Sequence, residues 1–322
     1  MIERILVAGA GALGSVFGGL LAAAGHDVTL LGRASHMDAV AAKGLVIDGL
    51  FGVKRVTSVT VTTDPPRQRF DVVLLTVKSF DTAAMLARVA PLLAEDGCLL
   101  SMQNGLGNVE RVRDVVGSRR AVGARVIFGA EIPAPGTVRV TVCAEPVALG
   151  AVVRGDAATE AQARRWATRL ATAGVPAEYV ADVHAHLWAK VFYNAALNPL
   201  GALLGLPYGA LAADPDARAI MDDVIEEGYA VARARGVTPT TASADAYRRI
   251  FYERLVPSTA HHRSSMLQDL ERGRRTEIEA INGSLWSFGR EAGVATPVNA
   301  TLTRLVRWRE RLGGLQPARA SS

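Results

Sequence analysis

Short apolar runs alternate with helix-like patterns through the first third of the chain. The runs cover residues 5–8, 28–31, 71–77 and 98–101, and helix-like spacing of apolar positions covers 13–24 and 82–94. Because these runs are almost continuously apolar rather than alternating, they are typical of strands buried on both faces, as in a parallel sheet. Strands that alternate with helices in this way predict βαβ units.

Strand signals continue to about residue 180 and then end. A further strand begins near residues 46–47, and valines alternate from there to residue 61. Shorter strands are predicted at 122–128, 136–142, 146–150 and 178–180, with a helix at 157–173. Helical patterns then follow at 183–205, 215–236, 241–254, 262–272, 275–292 and 297–311. We therefore predict an α/β domain over 1–181, an all-α domain over 182–312, and a frayed tail over 313–322.

Composition and charge exclude several classes of protein. Hydrophobic residues make up 49% and charged residues 21% of the chain, which is ordinary for a globular protein. The net charge of +5 arises from scattered basic residues, with no basic block that would bind nucleic acid. The two cysteines and the paired histidines lack metal-ligand spacing. Glycines interrupt the apolar N-terminus, unlike a signal peptide, and no stretch predicts a membrane span, so we expect a cytoplasmic protein.

A glycine-rich turn joins the first strand to the first helix. It has the pattern G-x-G-x-x-G and consists of Gly9, Ala10, Gly11, Ala12, Leu13 and Gly14. In this pattern the first glycine permits a tight turn, the second lets a pyrophosphate approach the backbone, and the third lets helix and strand pack closely. The helix N-terminus then offers free N–H groups to the phosphates. The position of the turn favours dinucleotide binding over a purely structural role.

The residues after the next strands indicate which dinucleotide binds. The second strand is followed by Arg33, where an NAD site usually has Asp or Glu. Arg33 could pair with a 2′-phosphate, assisted by Ser35 or His36, so the sequence favours NADPH; a solvated loop residue is the alternative. Lys78 and Asn104 follow two further strands, whose carboxyl ends share the ligand-binding edge of such a sheet.

A narrow polar stripe marks the helix predicted at 183–205. Lys190, Asn194 and Asn198 recur every four residues within an otherwise apolar segment and span about 80° of the helix circumference. Buried polar groups without partners are costly, so the stripe must meet either a ligand or a structural network. Pro199 follows directly and is expected to kink the helix. Glu277 flanks the core face of a later helix; it could meet Lys190, although an exposed glutamate is the simpler interpretation.

These motifs together resemble the ketopantoate reductase (2-dehydropantoate 2-reductase) family over most of the chain. The resemblance is carried by the glycine turn, Thr76-Val77-Lys78, Gln103-Asn104-Gly105, the Trp188 to Leu200 segment, Ser264 to Asp269, and Thr276-Glu277-Ile278. It implies a Rossmann-type N-terminal domain and an all-α C-terminal domain similar to that of 6-phosphogluconate dehydrogenase. It further implies NADPH-dependent reduction of 2-dehydropantoate to pantoate in pantothenate synthesis.

The resemblance also implies a role for each site residue. Lys190 would be the general acid, and Glu277 the carboxylate that positions it and the substrate. Asn194 and Asn198 would contact the substrate, and Ser265 its carboxylate. Lys78 and Asn104 would lie at the cofactor and active-site cleft, with the glycine turn and Arg33 on the cofactor. No metal is implied.

One residue departs from the family pattern. Where the family has Asn within a Pro-x-Gly sequence on the substrate side, this chain has Tyr208. A reductase of a different 2-oxo acid therefore remains an alternative, as does a non-catalytic NADPH-binding protein, although such a protein would not need the proton donor Lys190. The expected partner is a small-molecule 2-oxo acid, with neither nucleic acid nor membrane. A homodimer through the helical domain is compatible with the pattern, which does not determine the oligomeric state.

Overall fold

The computed structural model describes residues 2–315, which divide into two compact units after Val183. The boundary predicted from the sequence was residue 181. The strands are β1 Arg4–Ala8, β2 Asp27–Leu31, β3 Leu45–Gly49, β4 Lys54–Val56, β5 Val59–Thr62, β6 Phe70–Leu75, β7 Leu93–Ser101, β8 Ala121–Arg125, β9 Phe128–Ala134, β10 Thr137–Cys143, β11 Val147–Ala151 and β12 Ala177–Tyr179.

The helices of the first unit are α1 Ala12–Ala23, α2 Ala34–Lys43, α3 Thr82–Val89, α4 Asn108–Val116 and α5 Ala157–Thr172. The second unit is helical, with α6 Val183–Leu204 entering it, followed by α7 Tyr208–Ala213, α8 Pro215–Ala234, α9 Ala244–Ile250, α10 Val256–Ser258, α11 Ser265–Glu271, α12 Asn282–Ala292 and α13 Pro297–Leu315. None of the helices in the described part of the chain is both long and apolar enough to cross a membrane. An α/β unit followed by a helical unit is the predicted fold class, which is confirmed.

The first unit is built on an eight-stranded sheet with the order β12-β11-β8-β7-β6-β1-β2-β5. Neighbouring strands are parallel, except that β11 runs antiparallel to β8. Residues Ile5–Ala8 of β1 and Val72–Leu75 of β6 have no exposed surface. The continuous apolar runs therefore correspond to strands covered on both faces, as the sequence predicted.

A second sheet was not predicted from the sequence. It has four strands in the order β4-β3-β10-β9, and β3 pairs in parallel with β10. Helix α1 packs against both sheets: a Cβ at Gly18 would lie 2.5 Å from Leu30 Cδ2 in β2, and one at Gly19 would lie 2.7 Å from Leu45 Cδ2 in β3. The glycines of α1 thus let the helix pack closely on one sheet and then on the other.

Helix α12 starts later than the sequence predicts. The predicted helix at 275–292 begins only at Asn282, after a single 3₁₀ turn at Ile278–Ala280. The Thr276 hydroxyl accepts a hydrogen bond from the Ile278 N–H at 3.2 Å, and the Glu310 carboxylate accepts one from the Thr276 N–H at 2.7 Å. These side-chain acceptors replace helical carbonyls and delay the helix.

The last helix is longer than its predicted end at residue 311, because α13 continues to Leu315. The predicted frayed tail therefore begins within a helix, and its remaining residues, 316–322, lie outside the described residues.

Candidate functional site

Four strands of the main sheet end side by side. Ala8 of β1 pairs with Leu31 of β2 on one side and with Leu75 of β6 on the other, and Leu75 pairs with Ser101 of β7. Adjacent strands lie about 4.8 Å apart, so the four strand ends form a single row. The loops that leave this row contain the glycine turn, Arg33, Lys78 and Asn104. The structure thus brings the predicted cofactor residues to one edge, where open α/β sheets bind ligands.

The glycine turn has two crowded positions and one open position. Gly9 has φ +112°, and a Cβ there would lie 2.6 Å from the Val77 N atom. A Cβ at Gly14 would lie 2.5 Å from the Gly9 carbonyl oxygen and 2.7 Å from Thr76 Oγ1. At exposed Gly11 the nearest atom to such a Cβ is 4.0 Å away. The protein fills the space around Gly9 and Gly14 and leaves the Gly11 face open to a ligand.

The start of α1 fits a phosphate group. Gly11 caps the helix without a side chain, and the first helical hydrogen bond runs from the Ser15 N–H to the Gly11 carbonyl at 2.9 Å. The N–H groups of Ala12 and Leu13 precede that bond, while Ala10 is buried beneath the turn. Free N–H groups and the positive end of the helix dipole attract an anion, so the loop suits a dinucleotide pyrophosphate.

Arg33 and His36 take different positions around the start of α2. Arg33 is exposed at the N-cap of α2 and available to a ligand at the sheet edge. His36 is buried, with Nε2 3.1 Å from Ser15 Oγ and with Nδ1 accepting a hydrogen bond from the Gly136 N–H at 3.0 Å. The expectation that His36 assists at a 2′-phosphate is therefore wrong, because both ring nitrogens bind within the protein core.

His36 makes stability depend on pH. Burial lowers the pKa of its imidazole below the usual value. The unfolded chain therefore takes up a proton before the folded one does, and the contribution is present above about pH 6.5 and lost as the pH falls towards the folded pKa. We expect the thermal unfolding midpoint of His36→Gln to fall less steeply than that of the wild type between about pH 7 and pH 5.

An exposed histidine provides the control for this measurement. His261→Gln is the matched control, because His261 is exposed whereas His36 is buried. His26 and His262 also have pKa values lowered by burial, and they remain in both proteins, so only the difference between the slopes reports on His36. Parallel slopes for His36→Gln and the wild type would contradict the assignment.

A buried polar network joins the loops that contain Lys78 and Asn104. Gln103 Nε2 donates to the Val77 carbonyl at 2.9 Å and to Thr82 Oγ1 at 2.7 Å. Ser79 Oγ donates to the Asn104 carbonyl at 2.9 Å, and Asn108 Nδ2 donates to the same carbonyl at 2.8 Å. Lys78 and Asn104 are themselves half-buried. The network fixes the two loops relative to each other.

Most of this network was not predicted from the sequence. Gln103 stood within a recognised motif, but Ser79, Thr82 and Asn108 were given no role. A possible signal was present, because these three polar residues follow the same two strand ends as Lys78 and Asn104. Polar residues at such positions are candidates for fixing ligand-binding loops.

In the second unit, the polar stripe lies on the single helix α6. Lys190 and Asn194 are half-buried, and Asn198 is 5% exposed. The Tyr208 hydroxyl donates a hydrogen bond to Asn198 Oδ1 at 2.6 Å. Burial raises the pKa of Tyr208 well above its usual value, so the phenol keeps the proton that it donates. Tyr208, the residue that departs from the family pattern, therefore orients Asn198, which is predicted to contact the substrate.

Glu277 and Ser265 lie on two other segments of this unit. Glu277 is 7% exposed and directly precedes the 3₁₀ turn, so the interpretation of an exposed helical glutamate is wrong. Ser265 is exposed at the first residue of α11. Its neighbour Ser264 is fully buried and caps that helix, accepting a hydrogen bond from the Leu267 N–H at 3.0 Å. Ser264 therefore has a structural role, while Ser265 is available to a ligand.

Comparison with known proteins gives full-length similarities. Residues 5–154 match the family described as ketopantoate reductase PanE/ApbA, and residues 182–310 match its C-terminal counterpart. The chain is 36% identical to the 2-dehydropantoate 2-reductase of Aquifex aeolicus, with 96% of this chain and 98% of that protein covered. It is 34% identical to the enzyme of the same name from Pyrococcus horikoshii, with 97% of this chain and 99% of that protein covered.

Solved structures share the fold. A PanE/ApbA family ketopantoate reductase from Ralstonia eutropha is 36% identical, with a TM-score of 0.86 and coverage of 97% of this chain and 99% of that one. A D-mandelate dehydrogenase solved with NADH and anilino(oxo)acetate is 26% identical, also with a TM-score of 0.86 and with the same coverage of both chains. The similarity thus extends across both units of the chain.

Proposed function

The chain belongs to the ketopantoate reductase PanE/ApbA family, and we propose that it catalyses the NADPH-dependent reduction of 2-dehydropantoate to pantoate, as a cytoplasmic enzyme of pantothenate synthesis. The observation that carries this proposal is the presence of two features in the same chain. One is an open glycine turn at the ligand-binding edge of the sheet, and the other is the stripe of Lys190, Asn194 and Asn198 on α6.

The first unit supplies the residues that hold the dinucleotide. The open face of Gly11 and the uncapped N-terminus of α1 suit its pyrophosphate, with Lys78 and Asn104 at neighbouring strand ends. When bound, the nicotinamide ring supplies the hydride that reduces the ketone. Arg33, exposed at the same edge, would pair with the 2′-phosphate that distinguishes NADPH from NADH.

The second unit supplies the groups that act on the 2-oxo acid. Negative charge grows on the ketone oxygen as its carbon is reduced; cationic Lys190 would stabilise that charge and then donate a proton to it. Glu277 would orient the ammonium group. Asn194 and Asn198 would bind the substrate through their amides, and Ser265 would bind its carboxylate through the hydroxyl.

A panel of 2-oxo acids tests the function. Purified protein is mixed with NADPH and either 2-dehydropantoate, pyruvate or the phenyl-substituted 2-oxo acid that corresponds to mandelate, and the loss of nicotinamide absorbance is followed. We expect the highest kcat/KM with 2-dehydropantoate. Turnover with none of the acids would refute the proposal and favour a non-catalytic NADPH-binding protein.

One observation favours a second candidate, a reductase of a bulkier 2-oxo acid. Tyr208 hydrogen-bonds to Asn198, and it belongs to an aromatic cluster in which its ring centroid lies 5.8 Å from that of Tyr193 and 5.2 Å from that of His262. The structurally similar D-mandelate dehydrogenase was solved with an aromatic oxoacetate. In the same panel, preference for the phenyl-substituted acid would select this candidate.

Arg33 tests the preference for NADPH. Hydrogen bonds to charged groups contribute about 1.5–3 kcal/mol, so Arg33→Ala should raise the dissociation constant for NADPH by about 10- to 100-fold and leave that for NADH unchanged. Arg67→Ala is the matched control, because Arg67 is exposed and precedes β6, at the opposite edge of the sheet. Equal losses for NADPH and NADH would contradict a contact with the 2′-phosphate.

A further inference from the structure

A proline within α6 leaves one backbone carbonyl without its helical donor. In an α-helix, the N–H of each residue donates to the carbonyl four residues earlier. Pro199 has no N–H, so the carbonyl of Ala195 receives no such bond from it. Ala195 is fully buried, and an unpaired carbonyl at that depth would cost free energy. The Ala195 carbonyl lies between Asn194 and Asn198 along the helix.

The side chain of Asn282 supplies the missing donor. Asn282 is fully buried at the first residue of α12, and its Nδ2 donates to the Ala195 carbonyl oxygen at 3.0 Å. The same nitrogen donates to Asn299 Oδ1, also at 3.0 Å. Both neighbours are acceptors, so the amide must present its nitrogen to them. Among the described residues, Asn282 Oδ1 is buried without a hydrogen-bond partner, so Asn282 acts here as a donor.

Other groups hold Asn282 in this orientation. Asn299 is fully buried, and its Nδ2 donates to Glu227 Oε2 at 2.7 Å. Glu227 on α8 also accepts hydrogen bonds from the N–H groups of Val298 and Asn299, at 2.8 and 2.9 Å. The chain of bonds thus runs from α8 through the start of α13 to α12 and ends on α6. Both amide nitrogens and the Glu227 carboxylate are bonded in this chain, and buried bonds of this kind restrain how the helices pack against one another.

From these contacts we infer that Asn282 is a positioning residue for the substrate-binding groups of α6. It fixes the helix at Ala195, within the stripe that contains Asn194 and Asn198, and it stands five residues after Glu277. One amide therefore sets the distance between the α6 stripe and the segment that contains Glu277. The inference rests on the proposed function for the roles of those groups, while the hydrogen bond itself stands on the structure.

A double-mutant cycle with Pro199 tests the inference. Asn282→Leu keeps the branching at Cγ and removes the donor, and we expect it to lower kcat/KM for the 2-oxo acid by about 10²-fold, because small displacements of positioned groups have effects of that size. Pro199→Ala restores the N–H that pairs with the Ala195 carbonyl. In the Pro199→Ala background, Asn282→Leu should therefore cost about tenfold less than in the wild-type background. The lost bond to Asn299 is common to both backgrounds and cancels.

Two readouts separate positioning from a general loss of structure. The decrease should fall on kcat and on KM for the 2-oxo acid, while the dissociation constant for NADPH stays unchanged. Ser284→Ala is the control, since its hydroxyl donates to the Ala280 and Ile281 carbonyls of its own segment, at 2.9 and 2.7 Å. It should show no coupling to Pro199→Ala. Losses that simply add in the Pro199 cycle would overturn the inference.

Thermal unfolding distinguishes failure of this inference from failure of the proposed function. The same four proteins should show coupled unfolding midpoints, because the bond between Asn282 and Ala195 exists whatever the substrate. A wild-type protein that reduces no 2-oxo acid would overturn the proposed function and the positioning role with it. A wild-type protein that is active, with neither kinetic nor thermal coupling between residues 199 and 282, would overturn this inference alone.

Discussion

Lys190→Ala is expected to bind NADPH as the wild type does and to reduce the 2-oxo acid about 10²- to 10³-fold more slowly. The loss should fall on kcat, because the ammonium group acts on charge that develops only as the ketone is reduced. Lys190→Arg should recover part of the rate. Its guanidinium keeps a positive charge near the oxygen, but it does not release a proton at neutral pH.

Lysine is rare in this chain, so a matched control is easily chosen. Lys54 is one of four lysines and is exposed on β4. Lys54→Ala should have wild-type kcat, KM and NADPH affinity. Initial rates and NADPH fluorescence titrations on the three variants and the wild type provide the measurement. Undiminished turnover in Lys190→Ala would refute the role of Lys190 as proton donor.

Two alanine substitutions in the glycine turn should fail in different ways. The Cβ of Gly14→Ala would lie 2.5 Å from the Gly9 carbonyl oxygen, so the backbone must shift. Overpacking of this kind costs about 1–3 kcal/mol, and we expect a thermal midpoint lower by several degrees together with loss of NADPH binding. Gly11→Ala should keep the wild-type midpoint, because Gly11 has φ −81° and 4.0 Å of clearance, and still bind NADPH at least about tenfold more weakly.

The contrast between the two variants isolates the ligand from the fold. A methyl group at position 11 would be 4.0 Å from the Gly9 carbonyl oxygen, which requires no shift of the protein, so a loss of NADPH affinity would report on the bound molecule. Differential scanning fluorimetry and NADPH titration of both variants would show the pattern. Wild-type NADPH affinity in Gly11→Ala would mean that the pyrophosphate does not approach this face, and the assignment of the turn would be wrong.

The sequence predicts the helices and strands of this fold better than it predicts which strands pair with each other. Continuous apolar runs identified the central strands, because a strand buried on both faces consists almost entirely of apolar residues. The second sheet could not be predicted in this way, because the pairing of Val46 with Thr137 joins residues that are distant in sequence. Periodicity can indicate that a segment is a strand, but it does not identify which strand lies beside it.

The candidate site shows the same division. The spacing of Lys190, Asn194 and Asn198 predicted a shared helix face, because helical geometry is local. The burial of Glu277 was not predicted, because the hydrogen bonds of Thr276 with Ile278 and Glu310 delay the start of the helix and leave Glu277 outside it. The hydrogen bond from Tyr208 to Asn198 likewise could not be predicted, because the sequence showed only that a tyrosine stands where the family has asparagine.

The glycines of α1 have a consequence for the order in which the chain folds. Gly14, Gly18 and Gly19 lie within this helix of 12 residues, and a glycine inside a helix costs about 1 kcal/mol relative to alanine. An isolated segment of that composition does not hold a helix in water. Its packing partner β3 is itself completed by β10, which ends at Cys143. We therefore expect the helix to become stable only as strands of both sheets pack against it, although all of its own residues precede β3 and β10 in the chain.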